Sequence, residues 1–404
     1  MTLINTANPP AYLFDKARAR TLDWLGGNLT RGSLTVRLLE GQERTYRAEG
    51  QGPEASVQFQ DLRCLRRLIT KGALGLGESY MAGEWDSHDL VSLIELGAWN
   101  ERDWAEVING RMIFRIFDHI LQLARFNSRM GSKRNIAHHY DLGNDFYAAW
   151  LDRSMTYSSA LYSSQEQTLE DAQAAKYARI CDHLNIGQQH HVLEVGCGWG
   201  GFAEYAARRT GCHVTGITLS REQLAYGGER IKAAGLQDHV ELRLQDYRDV
   251  SGQFDRIVSI EMFEAVGERY WPVYFDRLRR CLVPNGKAAL QVITIAEDRF
   301  ERYRSNTDFI QKYIFPGGLL PSAERVTAAA RAERLCVSES VFFGDSYART
   351  LAEWSARFYA GWPQIAELGF DDRFRRMWEF YLAYCEAGFR AGTVDVGHFL
   401  LEPY

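Results

Sequence analysis

The chain has 404 residues, 46% hydrophobic and 25% charged, with a net charge of −5 and an isoelectric point near 6.1. This length predicts two domains, and the mildly acidic balance argues against a nucleic-acid partner. The sequence has neither a membrane-length apolar run nor a secretory signal layout, and its seven cysteines are scattered without a CxxC pair. It therefore predicts a cytoplasmic protein with no disulfide framework and no metal site.

The N-terminal region has the pattern of a small sheet. Residues 33–60 alternate polar and apolar side chains between glycine-containing breaks, which predicts short antiparallel strands. A mixed helical stretch follows, and clear helical spacing begins near residue 104. We expect a small α+β domain over 1–103, a helical linker over 104–134 and a larger α/β domain over 135–404.

A basic stripe runs through the predicted linker. Arg111, Arg115, Arg125 and Arg129 alternate with isoleucine, leucine and phenylalanine. Such a helix either packs its apolar side on a core and leaves a solvated basic face, or binds anionic lipid headgroups. The pattern alone favours the solvated face.

The segment LEVGCGWGG at 193–201 is a short apolar strand followed by Gly196, Gly198 and Gly200, and the residues after it have helical character. A strand, a glycine-rich turn and a helix together bring backbone N–H groups against a cofactor at the carboxyl edge of a sheet. No Gly-Lys-Ser/Thr follows, so the loop is not a nucleotide-phosphate loop of the Walker type.

Three sequence features indicate which kind of cofactor, other than a nucleotide held by a Walker loop, the glycine loop binds. Glu194 stands two residues before the first glycine, where a carboxylate can meet an amino group. The next strand, HVTGIT at 213–218, ends without the acidic residue that binds the ribose of NAD. The third strand leads to Asp246 and Tyr247, a polar group and a ring suited to adenine. These features predict an S-adenosylmethionine-dependent methyltransferase.

Nine segments spread over nearly the whole chain carry a resemblance: GESYMAGEWD (77–86), HHYDLGNDFY (138–147), MTYSSALY (155–162), LEVGCGWGG (193–201), TLSREQ (218–223), LQDYRDV (244–250), MFEAVG (262–267), KYIFPGGLLPS (312–322) and FRRMWEFYLAYCEAGFR (374–390). With these segments the sequence resembles the cyclopropane-fatty-acyl-phospholipid synthase family. The resemblance implies an α/β fold: a Rossmann-like class I methyltransferase domain with a mostly parallel seven-stranded sheet, and a small α+β N-terminal domain that handles lipid.

The resemblance also implies an activity. Family enzymes transfer a methylene group from S-adenosylmethionine across a cis double bond of an unsaturated phospholipid acyl chain, forming a cyclopropane fatty acid. Related members make methyl-branched or methylene chains, and a non-catalytic lipid-binding homologue is a further alternative. The expected protein is a homodimer in the cytoplasm, attached peripherally to the inner face of the membrane. In that light, lipid attachment becomes the favoured interpretation of the basic stripe.

The reaction passes through a carbocation, which aromatic rings can stabilise, and it needs a base to remove one proton. In the family that base is a bound bicarbonate ion. By resemblance, Glu264 and Tyr347 match two of its ligands, and Ile293 matches a third through its backbone. Ser159 stands where the family has cysteine, and Gln291 where it has histidine.

Three schemes are open for the removal of the proton. Bicarbonate is held by Ser159, Gln291, Glu264 and Tyr347, and the ring closes; we favour this scheme. Alternatively, Glu264 itself takes the proton, its pKa raised by burial. In the third scheme the cation loses a different proton or shifts a hydride, giving a methylated alkene.

The cofactor-binding residues expected from the loop, the strand ends and the resemblance include Gln223 as the ribose partner, with Tyr140 and Gly143 beside the methionine part. The full set is Tyr140, Gly143, Tyr157, Ser158, Glu194, Gly196, Gly198, Gly200, Thr218, Gln223, Gln245, Asp246 and Tyr247.

Overall fold

The computed structural model describes residues 22–24, 26–38, 41–108 and 142–404. The chain divides into two compact units, one within residues 1–116 and 376–380 and the other within residues 117–375 and 381–404. Most of the predicted linker, with its basic stripe, lies outside the described residues. The domain boundaries at 103 and 134 therefore stay predictions.

The first unit contains a four-stranded sheet in the order β2-β1-β3-β4. Its elements are β1 (Arg31–Arg37), β2 (Glu43–Arg47), β3 (Gly50–Phe59), α1 (Arg63–Met81), β4 (Trp85–Asp86) and α2 (Leu90–Ile108). Strand β1 pairs antiparallel with β2 but parallel with β3. The expectation of antiparallel strands is therefore wrong for β1 and β3, because polar–apolar alternation reports which face is buried and not the direction of the strand.

The second unit is built on a seven-stranded sheet in the order β10-β11-β9-β8-β5-β6-β7. The strands are β5 (His191–Val195), β6 (His213–Thr218), β7 (Val240–Leu244), β8 (Phe254–Ile260), β9 (Leu282–Ile295), β10 (Leu335–Phe342) and β11 (Val394–Pro403). The five strands from β9 to β7 are parallel, and β11 is antiparallel to both of its neighbours. The prediction of a mostly parallel seven-stranded sheet is confirmed.

Helices connect these strands. They are α3 (Asn144–Ala148), α4 (Leu169–His183), α5 (Gly201–Thr210), α6 (Arg221–Ala233), α7 (Trp271–Cys281), α8 (Glu297–Arg304), α9 (Phe309–Tyr313), α10 (Ala323–Ala332), α11 (Gly344–Glu367) and α12 (Asp372–Arg390). Residues 376–380 of α12 belong to the first unit.

The sheet separates two apolar cores. Leu193 and Val195 of β5 pack into a cluster that includes Phe275 of α7, whereas Val192, directly before them, packs with Phe202 of α5. Neighbouring residues of a strand point to opposite faces, so a strand with buried apolar residues on both faces must be covered on both sides. The two cores fix the carboxyl ends of β5 to β8 at one edge, where the loops carry the polar residues described below.

Two kinds of feature are absent from the described ranges. None of the helices there combines the length and apolar character needed to cross a bilayer. Within the same ranges, no three His, Cys, Asp or Glu side chains are grouped so that they could hold a metal ion.

Candidate active site

The loop after β5 has a backbone that glycine adopts readily and other residues rarely do. The φ angles of Gly196, Gly198 and Gly200 are 84°, 51° and 81°. A Cβ atom on Gly196 would lie 2.9 Å from Cγ of Met262, whereas one on Gly198 would meet nothing within 4 Å. Helix α5 begins directly after Gly200. The loop therefore leaves open space in front of a helix N-terminus, an arrangement that binds anionic groups.

Glu194, in β5, stands just before this loop and is 3% exposed. Burial raises the pKa of its carboxyl group, while the backbone amide of Ala203 and the charge of Lys176 lower it. Its Oε2 atom is buried and has no hydrogen-bond partner among the described residues. A buried acceptor without a donor is costly, and the amino group of a ligand would satisfy it. This is the role expected of Glu194 from the sequence.

The ends of β6 and α6 hold the next pair of predicted residues. The Thr218 hydroxyl donates to Oε1 of Gln223 over 2.7 Å, and both residues are buried. Ser220 caps α6 by accepting a hydrogen bond from the Gln223 backbone N–H. The side chain of Gln223 is thus held at the strand edge, beside the end of β7.

Residues 245–247 follow β7 at the same edge. Both carboxylate oxygens of Asp246 are bound by Arg248, with Nε–Oδ1 2.8 Å and Nη2–Oδ2 2.6 Å. Tyr247 packs edge-on against Tyr274 with ring centroids 5.4 Å apart, and the Gln245 amide donates to the carbonyl of Asp249. Arg248, which sequence reasoning did not assign, therefore fixes the carboxylate expected near adenine.

A second polar cluster lies at the end of β8, the strand next to β5. The carboxylate of Glu261 accepts three hydrogen bonds there. Its Oε1 lies 2.8 Å from the Ser159 backbone nitrogen and 2.7 Å from Nε2 of Gln291, and its Oε2 lies 2.6 Å from the Tyr347 hydroxyl oxygen. Three of the residues expected to hold a bicarbonate ion thus converge on a side chain of the protein itself.

Two of these donors differ in detail from expectation. The Ser159 hydroxyl donates to the carbonyl of Ala160 over 2.9 Å, so its backbone N–H and not its side chain faces Glu261. The other end of the Gln291 amide is fixed by His398, because Nε2 of His398 lies 2.9 Å from Oε1 of Gln291. His398 is buried, and burial lowers the pKa of its imidazole to about 3. The ring is therefore neutral and donates its Nε2–H to Gln291.

Glu264 lies one turn beyond Glu261, in the short 3₁₀ helix Phe263–Ala265. Its Oε1 accepts the Ile293 backbone N–H over 2.5 Å, so the N–H that the resemblance assigns to bicarbonate is bonded to Glu264. Glu264 as a whole is half-buried, but its Oε2 is buried and has no partner among the described residues. Burial first, and then the charge of Glu261, raise the pKa of Glu264 to about 8. Glu264 is consequently protonated at neutral pH.

Lys176 is fully buried close to Glu261 and Glu194. It is 0% exposed, and its Nζ donates to the Ser158 hydroxyl over 2.7 Å. Burial lowers the pKa of Lys176 to about 7, against the charges of Glu261, Asp152 and Glu194. The Ser158 hydroxyl therefore holds the buried amino group of Lys176.

Aromatic side chains flank the cluster. The Tyr157 hydroxyl lies 2.9 Å from that of Tyr381, and the Tyr157 ring stacks on Phe315 at 6.3 Å and packs against Trp354 at 5.3 Å. Gly143, with a φ of 88°, precedes α3. Tyr140 lies outside the described residues. The expected aromatic surface is thus represented by Tyr157 and Phe315.

Comparison with known proteins identifies the family. A family model described as mycolic acid cyclopropane synthetase matches residues 127–399. The chain belongs to this family. It is an S-adenosylmethionine-dependent methyltransferase.

Individual members of the synthetase family align over most of the chain. The chain is 42% identical to tuberculostearic acid methyltransferase UfaA1 of Mycobacterium tuberculosis, over 87% of this chain and 84% of that protein. It is 36% identical to cyclopropane-fatty-acyl-phospholipid synthase of Escherichia coli K12, over 85% and 86%. A crystal structure of mycolic acid cyclopropane synthase CmaA1 with SAH and CTAB superposes with a TM-score of 0.63 and 31% identity, over 67% of this chain and 97% of that one.

The site fits the family's cofactor. Oε2 of Glu194, which has no partner among the described residues, can accept a hydrogen bond from the amino group of S-adenosylmethionine. The empty space beside Gly198 leaves room for the cofactor next to the loop. The residues at the ends of β6 and β7 lie along the same edge. Bound there, S-adenosylmethionine would supply an electrophilic methyl group for transfer to a substrate.

The site does not fit bicarbonate. The donors of Ser159, Gln291 and Tyr347 are occupied by the carboxylate of Glu261, and a second anion on the same donors would be repelled by it. The sequence contained a signal for this difference, since Glu261 directly follows Ile260, the last residue of β8, at the cofactor edge. That signal was missed because Glu264 in the same segment matched the family. His398 and Lys176 lie far away in sequence, and only the fold brings them to the site.

Proposed function

We propose that this enzyme transfers the methyl carbon of S-adenosylmethionine to a carbon of a cis double bond in an unsaturated phospholipid acyl chain. A proton then leaves the transferred carbon, which ends as the methylene of a cyclopropane ring. An alkene is a weak nucleophile, so the reaction requires the methyl group and the alkene to be held close and in line.

The hydrogen-bonded carboxylate at the end of β8 is the observation that carries this proposal. A base placed beside the cofactor edge is needed to remove a proton from the transferred carbon, and has no use in simple binding of lipid. Tyr157 and Phe315, whose rings stack on each other, can stabilise a cation without reacting with it. The non-catalytic alternative is disfavoured because it would retain both the cofactor loop and a costly buried carboxylate cluster for no purpose.

The segment at 309–320 supports an acyl-chain substrate. The Leu319 backbone N–H donates to the carbonyl of Glu264 over 2.9 Å, and the Gln311 amide donates to the carbonyl of Gly318. These bonds tie an apolar, glycine-containing turn to the loop that carries the carboxylates. We propose that this turn lines the path of the acyl chain.

The setting of the reaction is part of the proposal. The name of the Escherichia coli relative refers to a fatty-acyl phospholipid, and that of the Mycobacterium tuberculosis relative to tuberculostearic acid. An acyl chain has to leave a bilayer to reach a buried site, so we propose peripheral attachment to the inner face of the cytoplasmic membrane. The small N-terminal unit would serve docking and the formation of a homodimer.

A second product has specific support. The 42% identity to tuberculostearic acid methyltransferase favours a methylated chain, in which a hydride shift precedes proton loss and the transferred carbon becomes an exocyclic methylene. Both products lose a proton from the transferred carbon. They differ in whether a ring or a new double bond forms.

The test uses the purified full chain, S-adenosylmethionine with a trideuterated methyl group, and vesicles of cis-monounsaturated phospholipid. Mass spectrometry of the released acyl chains counts the deuterium retained. Two deuterium atoms mean proton loss from the transferred carbon, and mild catalytic hydrogenation then separates the products, because it saturates an exocyclic methylene and leaves a cyclopropane intact. Vesicles of saturated phospholipid are the matched control.

The expected result is two deuterium atoms in a product that resists hydrogenation. Two deuterium atoms in a product that takes up hydrogen would establish the methylene chain instead. Retention of all three would contradict proton loss from the transferred carbon. No labelled acyl chain, despite measurable binding of S-adenosylmethionine, would defeat the proposed function.

A further inference from the structure

We propose that Glu261 is the catalytic base of this enzyme, and that its carboxylate makes the reaction independent of bicarbonate. The inference rests on the proposed function and deepens it, by assigning the proton-transfer step to a residue of this chain. Four observations support it: the backbone of Glu261, its donors, the support behind those donors, and the contrast with Glu264.

The backbone of Glu261 is unusual. Its φ angle is 48°, in the left-handed region that residues other than glycine rarely occupy. Its N–H donates to the carbonyl of Gln291 over 2.8 Å, so this conformation is fixed by the neighbouring strand β9. Strained backbone persists where the surrounding structure enforces it, and it concentrates at functional sites. A glutamate at a position suited to glycine indicates that its side chain is needed there.

The three hydrogen-bond donors leave the Glu261 carboxylate with an acceptor position for a proton. An ionised carboxylate offers about four acceptor positions on its two oxygens. The Ser159 N–H and the Gln291 amide both bind Oε1, and the Tyr347 hydroxyl binds Oε2. Among the described residues, Tyr347 is the donor seen on Oε2. This oxygen therefore retains one position that can accept a proton from substrate.

The donors are themselves held in place. His398 donates to Oε1 of Gln291, which forces the Gln291 amide to present N–H groups to Glu261. The Tyr347 ring packs against Phe389 with centroids 4.5 Å apart. Preorganised donors of this kind fix a catalytic group before substrate binds.

The contrast with Glu264 decides which carboxylate is charged. Glu261 accepts three hydrogen bonds, whereas Glu264 accepts the Ile293 N–H on Oε1 and its Oε2 has no partner in the described part of the chain. Burial raises the pKa of the Glu261 carboxyl group, while the Tyr347 hydroxyl, the charge of Lys176 and the donors of Ser159 and Gln291 lower it. Two neighbouring carboxyl groups do not both ionise easily. The charge therefore resides on Glu261, and Glu264 keeps its proton.

The proton-transfer step balances. The methyl carbon forms a bond to one alkene carbon as its bond to sulfur breaks, leaving a carbocation and S-adenosylhomocysteine. A C–H bond of the transferred carbon then breaks, and its electron pair forms the second bond of the ring. The proton passes to Oε2 of Glu261, and from there to solvent after the product leaves.

Two variants of the full chain test this assignment. Glu261→Gln keeps the shape of the side chain but cannot accept the proton. Glu261→Gly removes the strain of a side chain at a positive φ angle. It also leaves a space lined by the donors of Ser159, Gln291 and Tyr347. Asn285→Gly is the matched control, since Asn285 is exposed and also has a positive φ, 64°. Calorimetric binding of S-adenosylmethionine and thermal unfolding verify that each variant is folded.

We expect kcat to fall by about 10²-fold or more in both Glu261 variants, with cofactor affinity unchanged, as for loss of a general base. Bicarbonate, formate or acetate should restore activity to Glu261→Gly at least several-fold, but not to Glu261→Gln. Wild-type enzyme should retain its rate in buffer freed of carbon dioxide. ¹³C NMR titration should show bicarbonate binding to Glu261→Gly and none to the wild type.

Other outcomes would overturn the assignment. Full activity of Glu261→Gln, a wild-type rate that depends on bicarbonate, or binding of ¹³C-bicarbonate to the wild type would each refute it. A wild-type enzyme that alkylates no acyl chain would refute the proposed function, and with it the role of Glu261 as base. The binding titration still reports separately whether Glu261 excludes the anion.

Discussion

Nε2 of His398 donates a hydrogen bond to Oε1 of Gln291 across 2.9 Å, and through that bond a residue of the last strand orients the amide that holds Glu261. Both His398 and Gln291 are buried, so no solvent competes for the contact. This pair leads to the first prediction.

Replacing His398 by phenylalanine keeps a ring beside Phe343 but removes the donor to Gln291. The amide can then rotate and present its oxygen to the Glu261 carboxylate, so we expect kcat to fall by about tenfold. The affinity for S-adenosylmethionine should not change. His398→Gln, whose amide N–H can replace Nε2–H, should restore most of the activity. Equal losses in both variants would show that His398 serves packing alone.

Tyr347→Phe removes the donor to Oε2 of Glu261 and leaves the ring packed on Phe389. A hydrogen bond to a charged group contributes roughly 1.5–3 kcal/mol, so kcat should fall by about 10- to 100-fold. Steady-state kinetics with vesicle substrate measure the change. Tyr359→Phe on the same helix is the control, because Tyr359 is 50% exposed. A variant at Tyr347 with normal kcat would exclude this hydroxyl from the proton-transfer step.

The raised pKa of Glu264 should make the fold less stable as pH rises from about 4.5 to about 8. Its pKa rises from an ordinary value of 4.5 to about 8 on folding. The folded state therefore retains a proton that the unfolded state releases, and its stabilising effect is complete below pH 4.5 and lost as pH rises towards 8. The free energy of unfolding should decline by at most about 1.4 kcal/mol per pH unit in that window.

Urea unfolding of the wild type and of Glu264→Gln at several pH values isolates this contribution. The glutamine can still accept the Ile293 N–H, but it does not titrate, so the decline should be shallower than in the wild type. The wild type and Glu264→Gln share every other titratable group, so the difference between their slopes reports Glu264 together with its effect on the neighbouring Glu261. Glu367→Gln, at an exposed position, is the control. Identical slopes in wild type and Glu264→Gln would contradict a protonated Glu264.

Gly196→Ala should weaken cofactor binding. Its φ of 84° disfavours a side chain, and the added Cβ would lie 2.9 Å from Cγ of Met262. We expect a loss of about 1–3 kcal/mol in stability, and at least tenfold in affinity for S-adenosylmethionine measured by calorimetry. Gly228→Ala is the matched control, because a Cβ on this exposed helical glycine meets no atom within 4 Å. Equal cofactor affinity in the two variants would show that the loop tolerates a side chain.

The fold was largely accessible from the sequence. Apolar strands ending in polar residues, and a glycine loop before a helix, predict a parallel sheet with a cofactor at its edge, and the structure confirms this arrangement. The parallel pairing of β1 with β3 was not accessible, because strand direction depends on the connections and not on alternation.

The site was predictable only in part. Glu264, Gln291, Ile293 and Tyr347 were found by position in known segments, but what they bind was not. The position of the negative charge depends on hydrogen bonds to Glu261 from Ser159 and Tyr347, which are far apart in sequence. It also depends on the φ angle of Glu261, which no local sequence pattern predicts. His398 contributes through sheet pairing of β11 with β9, which joins it to Gln291.

The left-handed backbone at residue 261 also has a consequence at the level of the gene. Glycine is the residue best suited to that φ angle, and glycine and glutamate codons can differ by a single base. One point mutation therefore separates an enzyme that carries its own carboxylate from one that leaves a lined space for a dissolved anion. Under the role proposed for Glu261, that change would trade dependence on dissolved carbon dioxide for a modest strain in one turn.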